Sequence, residues 1–253
     1  MGAKRSRRFH QEAVVALVQD NTIAFTQPKR RKPVSIIPRN LKQEEYLDLL
    51  YDDSKHIVFS TGPAGTGKTL FAVLSGIKAL KERRTDKLIL TRPAVGVEDE
   101  QHGFLPGDLN SKMEPWTRPL FDIILEYYDT KEVTRMLDEK IIEISPLAFM
   151  RGRTFKKSWI IADEMQNATP SQMKMLLTRL GDESKIVVTG DIVQTDKKHG
   201  YNGLADFAFL VSDYGKSKYV AGVEFGYKDI ERHPAVSEIL AIYKEEELSR
   251  PTK

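Results

Sequence analysis

The stretch Gly62-Pro63-Ala64-Gly65-Thr66-Gly67-Lys68-Thr69 constrains this chain more than any other. It fits the spacing G-x-x-x-x-G-K-[ST], follows the β-rich run His56–Ser60, and leads into an apolar-periodic stretch that predicts a helix over Thr69–Lys81. A strand that turns through glycines into a helix is one βα unit of a parallel sheet. Glycines at 62, 65 and 67 permit positive φ, so backbone N–H groups can turn inward and form a nest for phosphate oxygens. The start of the next helix adds partial positive charge at the same point. In that setting Lys68 would reach the β- and γ-phosphates, and the Thr69 hydroxyl would ligate Mg²⁺. The loop implies a triphosphate ligand.

Further β-rich runs occupy Lys87–Thr91, Ile141–Ile144, Ser158–Ala162, Lys185–Thr189 and Tyr219–Phe225. Most are near-continuously apolar, as strands buried on both faces of a parallel sheet are. Helical patterns lie between them at Pro115–Glu126, Ser171–Leu180 and Leu204–Val211, with another at Pro234–Glu247. This alternation predicts a doubly wound α/β fold, a mostly parallel sheet flanked by helices with right-handed crossovers. Val34–Ile37, between two prolines, reads as a further short strand. At 253 residues and 40% apolar composition the chain has material for one large α/β domain.

The segment "SWIIADEMQN", Ser158–Asn167, ends an apolar strand in two carboxylates. At the C-terminal edge of a parallel sheet these would face the crevice where ligands sit. Asp163 is then the natural partner of Mg²⁺, and Glu164 is placed to polarise an attacking water as general base. Gln166 is a candidate sensor of the γ-phosphate. A second strand, "IVVTGDIVQT", runs into Thr189-Gly190-Asp191 and Gln194, a polar cluster suited to the same sensing. A helix cap by Asp191 is the alternative.

Charge is unevenly spread. The first 33 residues carry eight Lys/Arg against Glu12 and Asp20, whereas the chain as a whole is only +3. This divides the chain into a basic arm and linker over 1–33 and a slightly acidic body over 34–253. The arm suits an approach to nucleic acid and suits a solvated tail equally. No cysteine is present, which excludes disulfides, thiolate metal sites and a Cys nucleophile. No apolar run approaches the roughly 18–20 residues of a membrane span, and the basic start lacks the apolar stretch of a signal peptide. A soluble, cytoplasmic protein with no membrane partner is expected.

Taken together, "GPAGTGKT", "LTRPAVGVEDEQHGFLPGDLNSKMEPWTRPLFD", "MRGRTF", "IIADEMQNATPSQMKMLLTRLG" and "VTGDIVQTD" resemble the PhoH family of P-loop ATPases, over about residues 35 to 245. The resemblance implies a RecA-like core of the superfamily-one helicase type. It also implies hydrolysis of ATP with Mg²⁺, RNA or single-stranded DNA as partner, and assembly into a homo-oligomeric ring. The form implied is the minimal, single-core one that bacteria and phages carry. Gln43, in "RNLKQEEYL", matches the adenine-reading glutamine of such helicases, whose amide can pair with an adenine edge at two points. A polar residue on an exposed helix face is the alternative. Met165 departs from the alanine of related sequences.

A single core offers no obvious cation beyond the γ-phosphate, where an arginine can be worth about 10³–10⁵ in rate. Arg232, in "DIERHPAV", matches the Arg-His-Pro of the PhoH pattern and is expected to reach a neighbouring subunit's site; a surface salt bridge is the alternative. A head-to-tail contact of that kind closes into a ring, hexameric in such motors. Candidate polynucleotide contacts are Arg92, Trp116 and Arg118 in "EPWTRP", and Arg151 and Arg153 in "MRGRTF", since a Trp beside an Arg can stack a base and hold a phosphate. Core or interface packing of these residues is the blander account. The expected activity is an ATP-driven translocase or helicase on RNA or single-stranded DNA. An ATP-gated interaction ring is the alternative, and a small-molecule kinase is disfavoured by the helicase-like Asp163-Glu164-Met165-Gln166.

Overall fold

Six strands, all parallel, form one sheet in the order β3-β2-β4-β5-β1-β6. They are β1 (Ile57–Thr61), β2 (Lys87–Thr91), β3 (Ile142–Ile144), β4 (Ser158–Ala162), β5 (Lys185–Gly190) and β6 (Val220–Glu224). The helices are α1 (Leu41–Tyr51), α2 (Lys68–Lys81), α3 (Leu109–Leu125), α4 (Thr130–Asp138), α5 (Pro170–Leu177) and α6 (Gly203–Tyr214). This computed structural model describes residues 33–93, 109–193, 202–236, 238, 239 and 242, with side chains of α3 from Thr117 onward. The arm over 1–32, Gln194, the Trp116 side chain and most of the expected helix over Pro234–Glu247 lie outside the described residues.

The near-continuous apolar runs have a direct cause. Alternate residues of each central strand enter different cores: Trp159 and Ile161 of β4 face one, while Ile160 and Ala162 face the other. Val187 and Val188 of β5 divide in the same way. One core is closed by α1 to α4 through Tyr46, Phe71, Ile77, Ile124 and Val133; the other is closed by α5, α6 and the turn at Leu147–Met150. Helices on both faces are what an all-parallel sheet requires, because neither face can be left to water.

Local chemistry sets the helix starts. Asn40 caps α1 by accepting from Gln43 N at 2.9 Å. Asp129 with Glu132, and Thr169 with Gln172, form capping boxes on α4 and α5. Pro170 sits in the first turn of α5, where its missing N–H is harmless. The expected strand at Val34–Ile37 is not one. Those residues pair with no strand, and Val34 and Ile36 instead pack their side chains on the core beside α1.

The far end of α1 is held by a buried cation. Lys185 Nζ donates to the carbonyls of Leu50 at 2.6 Å, Asp52 at 2.9 Å and Leu49 at 3.3 Å, which α1 would otherwise leave unpaired at its C-terminus. Burial pushes the Lys185 pKa from 10.5 down to about 8, against Asp53 and Asp52, which raise it. Above pH 8 the folded chain has released a proton that the unfolded chain keeps to about 10.5, so stability from this group rises with pH across that window. The unfolding free energy of wild type relative to Lys185→Met is therefore expected to increase between those pH values. Denaturant unfolding at several pH values checks this, and a flat difference would mean that the buried ammonium titrates as it does in water.

Candidate functional site

The C-terminal ends of β1, β4 and β5 converge on one cavity of ≈ 260 Å³, lined by Gly65, Lys68, Thr69, Asp163, Glu164 and Asp191, among others. After β1 the phosphate loop turns as expected, with Gly62, Gly65 and Gly67 at φ 131°, 88° and 90°. Position 62 has no room for a side chain at all, since a Cβ there would lie 2.3 Å from the Phe225 carbonyl oxygen. Pro63 and Ala64 complete the bend, and Thr66 Oγ1 donates to Pro63 O at 3.0 Å. Gly67 then leads directly into α2.

Lys68 opens that helix, and its ammonium is folded over the loop. Nζ donates to Gly62 O at 2.6 Å, Pro63 O at 2.8 Å and Thr66 Oγ1 at 3.4 Å. Burial lowers its pKa, while Asp191, Asp163 and Glu164 pull it back up. Among the described residues it is the one cation lining this cavity. The Thr69 hydroxyl donates to Asp163 Oδ1 at 2.8 Å, and the Thr189 hydroxyl of β5 donates to the same oxygen. Two elements, α2 and β5, thus fix the carboxylate that follows β4.

A hydroxyl and a carboxylate side by side suit a hard divalent cation that keeps waters and takes further ligands from a phosphate. Among the described residues no group of three or more His, Cys, Asp or Glu stands ready for a metal. Thr69 and Asp163 are the residues that would hold it.

Glu164 follows in the left-handed region, φ 54° and ψ 38°, which a glutamate adopts only at a cost of about 1 kcal/mol. Its carboxylate accepts from Gln166 Nε2. Gln166 is buried, and its Oε1 accepts from Asp191 N at 3.1 Å, so one carboxamide ties the acid after β4 to the end of β5. Gly190 makes this possible: a Cβ there would sit 2.4 Å from Gln166 Oε1 and 2.6 Å from Leu204 Cδ2. Gly190→Ala is expected to displace Gln166, lowering turnover and the unfolding midpoint together, and a variant indistinguishable from wild type in both would show that the link is slack. Met165 is fully buried in the core beneath this turn.

Gln43 lies beside the loop rather than on an exposed helix face, and it is buried. Oε1 accepts from Arg39 N at 2.8 Å and Nε2 donates to Thr66 O at 3.0 Å. A carboxamide has two lone pairs and two N–H bonds, so one of each remains for an adenine edge. A second cavity, ≈ 470 Å³, opens there between Ile36, Gln43, Phe71 and Leu74 on one side and Glu231 and Arg232 on the other. Arg232 was expected to project toward a neighbour. Within the single chain its side chain lies against Gly65 of the phosphate loop, because the Glu231 N–H is bonded to Gly65 O at 3.0 Å and carries the next residue across.

The arginines of the other candidate surface differ among themselves. Arg153 is committed within the chain: it pairs with both oxygens of Glu143, donates to Ser145 Oγ, and lies over the Phe155 ring at 4.5 Å. It clamps β3 to the approach of β4. Arg118 and Arg151 are exposed, and Arg92 is half-buried just past β2. Phe149, 59% exposed on the turn before Arg151, is an aromatic that sequence reasoning passed over. Asn40 was passed over too, although an Asn three residues before Gln43 is a recognisable helix cap.

The strand feeding the phosphate loop, β1, is separated from the acid-bearing β4 by β5 alone. This order and the site together define a nucleotide-binding P-loop NTPase of the RecA-like type, with places for a nucleotide and a divalent metal. The chain belongs to the PhoH-like protein family, whose model matches residues 35–244. It is 41% identical over 228 residues to a PhoH-like protein of Synechocystis, covering 88% of this chain and 66% of that one. The corresponding values are 43% over 216 residues, 85% and 66% for a PhoH-like protein of Bacillus subtilis, and 36% over 249 residues, 95% and 69% for Protein PhoH of Escherichia coli K12. The chain thus spans about two thirds of the length of these relatives. Among solved structures, the Pif1 helicase from Candida albicans is a distant likeness, with TM-score 0.42, 16% identity, 86% of this chain and 49% of that chain. The SWI2/SNF2 ATPase core of Sulfolobus solfataricus in complex with double-stranded DNA is another, at TM-score 0.41, 13% identity, and 79% and 47% coverage. Among the described residues no helix is long and apolar enough to cross a membrane.

Proposed function

We propose that this chain binds ATP with Mg²⁺ and hydrolyses it, as a cytoplasmic, ring-forming motor on RNA or single-stranded DNA. The observation that carries the hydrolytic part is the meeting of Thr69, Asp163 and Thr189 beside Lys68, with Glu164 at the same cavity. An incoming triphosphate exchanges the loop carbonyls on Lys68 Nζ for phosphate oxygens, and the N–H groups of the glycine-rich turn surround them. Thr69 and Asp163 would hold the cation, which when bound would supply charge to offset that developing on the phosphoryl group. Glu164 accepts a proton from water as its oxygen bonds the γ-phosphorus, and the bond to the β-phosphate oxygen breaks, releasing ADP and phosphate. Gln166, bonded to both Glu164 and Asp191 N, relays the position of β5 to that carboxylate. Phosphate release from ATP, present with Mg²⁺ and lost in chelator, tests this; no release under any loading with Mg²⁺ ends it.

The polynucleotide part rests on Arg92, Phe149 and Arg151 at the C-terminal edge of β2 and the adjoining turn, where Leu147 N bonds Arg92 O. An exposed aromatic among arginines can stack a base while the charges track a backbone. Stimulation of turnover by single strands is expected to fall as salt rises and to be weaker in Phe149→Ala. Filter binding from low to high salt checks it, and no affinity even at low salt removes this partner. The ring rests on the phosphate cavity having Lys68 as its one cation among the described residues, which leaves a place for a cation from a second copy. Exposed Phe209, Leu210 and Tyr214 on α6 offer apolar area for such a contact. A mass measurement with a non-hydrolysable ATP analogue tests assembly.

A further inference from the structure

Phe225–Arg232 leaves β6 and crosses the phosphate loop of the same chain. Phe225 N donates to Thr61 O at 2.8 Å and Glu231 N to Gly65 O at 3.0 Å. Asn40, the cap of α1, donates from Nδ2 to Glu231 Oε1 at 3.2 Å and to Asp229 O at 3.4 Å. Asp229, itself buried, accepts from Gly226 N at 2.7 Å and closes the turn. The strap is therefore fixed both to the loop and to the helix that carries Gln43.

Arg232 emerges from this strap onto the loop. A Cβ on Gly65 would lie 2.4 Å from its Nε, 2.9 Å from Cδ and 3.0 Å from Cγ, so the whole side chain runs over that glycine. It forms the rim of the ≈ 470 Å³ cavity, which shares Gly65, Gly67 and Leu70 with the phosphate cavity. Phe71, Leu74, Ile36 and Ile37 give that cavity apolar walls, and Gln43 gives it one polar edge. A flat ring with a polar edge, joined to phosphates, suits such a space. A guanidinium plane at the rim can lie on the face of the ring.

We propose that Arg232 acts on the nucleotide held by its own subunit, covering the base in this cavity and positioning the nucleoside, instead of completing a neighbour's hydrolytic site. The inference rests on the nucleotide reading above and assigns its base-binding residue. A contact made to the nucleoside is felt equally by ADP and ATP, whereas a finger on the γ-phosphate is felt by ATP in the transition state.

The test is equilibrium binding of ADP and of a non-hydrolysable ATP analogue to wild type, Arg232→Ala and Arg232→Lys. Arg232→Ala is expected to weaken both ligands by the same factor, about five- to a hundredfold, the range of a base-stacking contact. Its KM for ATP rises by that factor, far more than kcat falls, and the unfolding midpoint is unchanged because the side chain is exposed. Arg232→Lys restores part of the affinity, since lysine keeps the charge and lacks the plane. Mixing Arg232→Ala with Lys68→Ala subunits gives no more turnover than the Arg232→Ala subunits alone. Wild-type ADP affinity in Arg232→Ala, or a mixture more active than the Arg232→Ala subunits it contains, overturns the assignment. Wild type failing to bind ADP sinks the nucleotide reading along with it, so the two failures are told apart.

Discussion

Lys68→Ala is expected to weaken ATP binding at least about thirtyfold and to cut hydrolysis by about a hundred- to a thousandfold. The reason is the position of its ammonium. Nζ already spans Gly62 O, Pro63 O and Thr66 Oγ1, so it stands at the centre of the turn that receives the phosphates. Burial strips it of water and pushes its pKa down, while Asp191, Asp163 and Glu164 hold the charge in place. Such a cation meets a phosphate with little reorganisation, because the side chain is confined before the ligand arrives. Removing it leaves three carboxylates facing a polyanion across one cavity. Calorimetric titration with an ATP analogue checks the binding half, and unaltered affinity in Lys68→Ala would place the triphosphate elsewhere.

Glu164→Gln is expected to do something different: hydrolysis falls by about 10²–10⁴ while ATP still binds. The amide keeps the shape of the side chain and can still bond Gln166, but it accepts no proton from the attacking water. Nucleotide affinity is held or slightly raised, since one negative charge is removed from the phosphate cavity. The backbone at this residue is left-handed, so the substitution leaves the local strain as it is. Single-turnover phosphate release together with ATP retention on a filter separates the two halves. Turnover in Glu164→Gln equal to wild type would move the general base to another group.

Much of this was legible in the residues, for reasons tied to particular elements. Lys87–Thr91 and Ser158–Ala162 have in the structure the bounds that the sequence predicts, because strands feeding two cores carry consecutive apolar residues, Leu88–Leu90 and Trp159–Ala162. The phosphate loop was legible because its glycines are demanded by backbone geometry at φ near 90° and beyond. The helix α1 was not read as an element, since its buried side includes the polar Gln43 beside Tyr46, Leu47 and Leu50, which breaks the apolar period. In α4 only Val133 and Met136 are buried, and the available signal was the Asp129/Glu132 capping box. The expected helix over Ser171–Leu180 stops at Leu177, where the Thr178 hydroxyl turns back onto Lys174 and Met175 carbonyls and Leu180 pairs with Phe155. The destination of Arg232 was not legible, because it is set by a backbone bond from Glu231 to a loop 166 residues earlier in the chain, a contact that no local pattern encodes.

The account is tested most directly by titrating the wild-type chain with a non-hydrolysable ATP analogue, in Mg²⁺ and again in excess chelator. Saturable binding, one nucleotide to each chain and tightened by Mg²⁺, is the predicted result. No binding at millimolar analogue, with the chain folded and Mg²⁺ present, would contradict it.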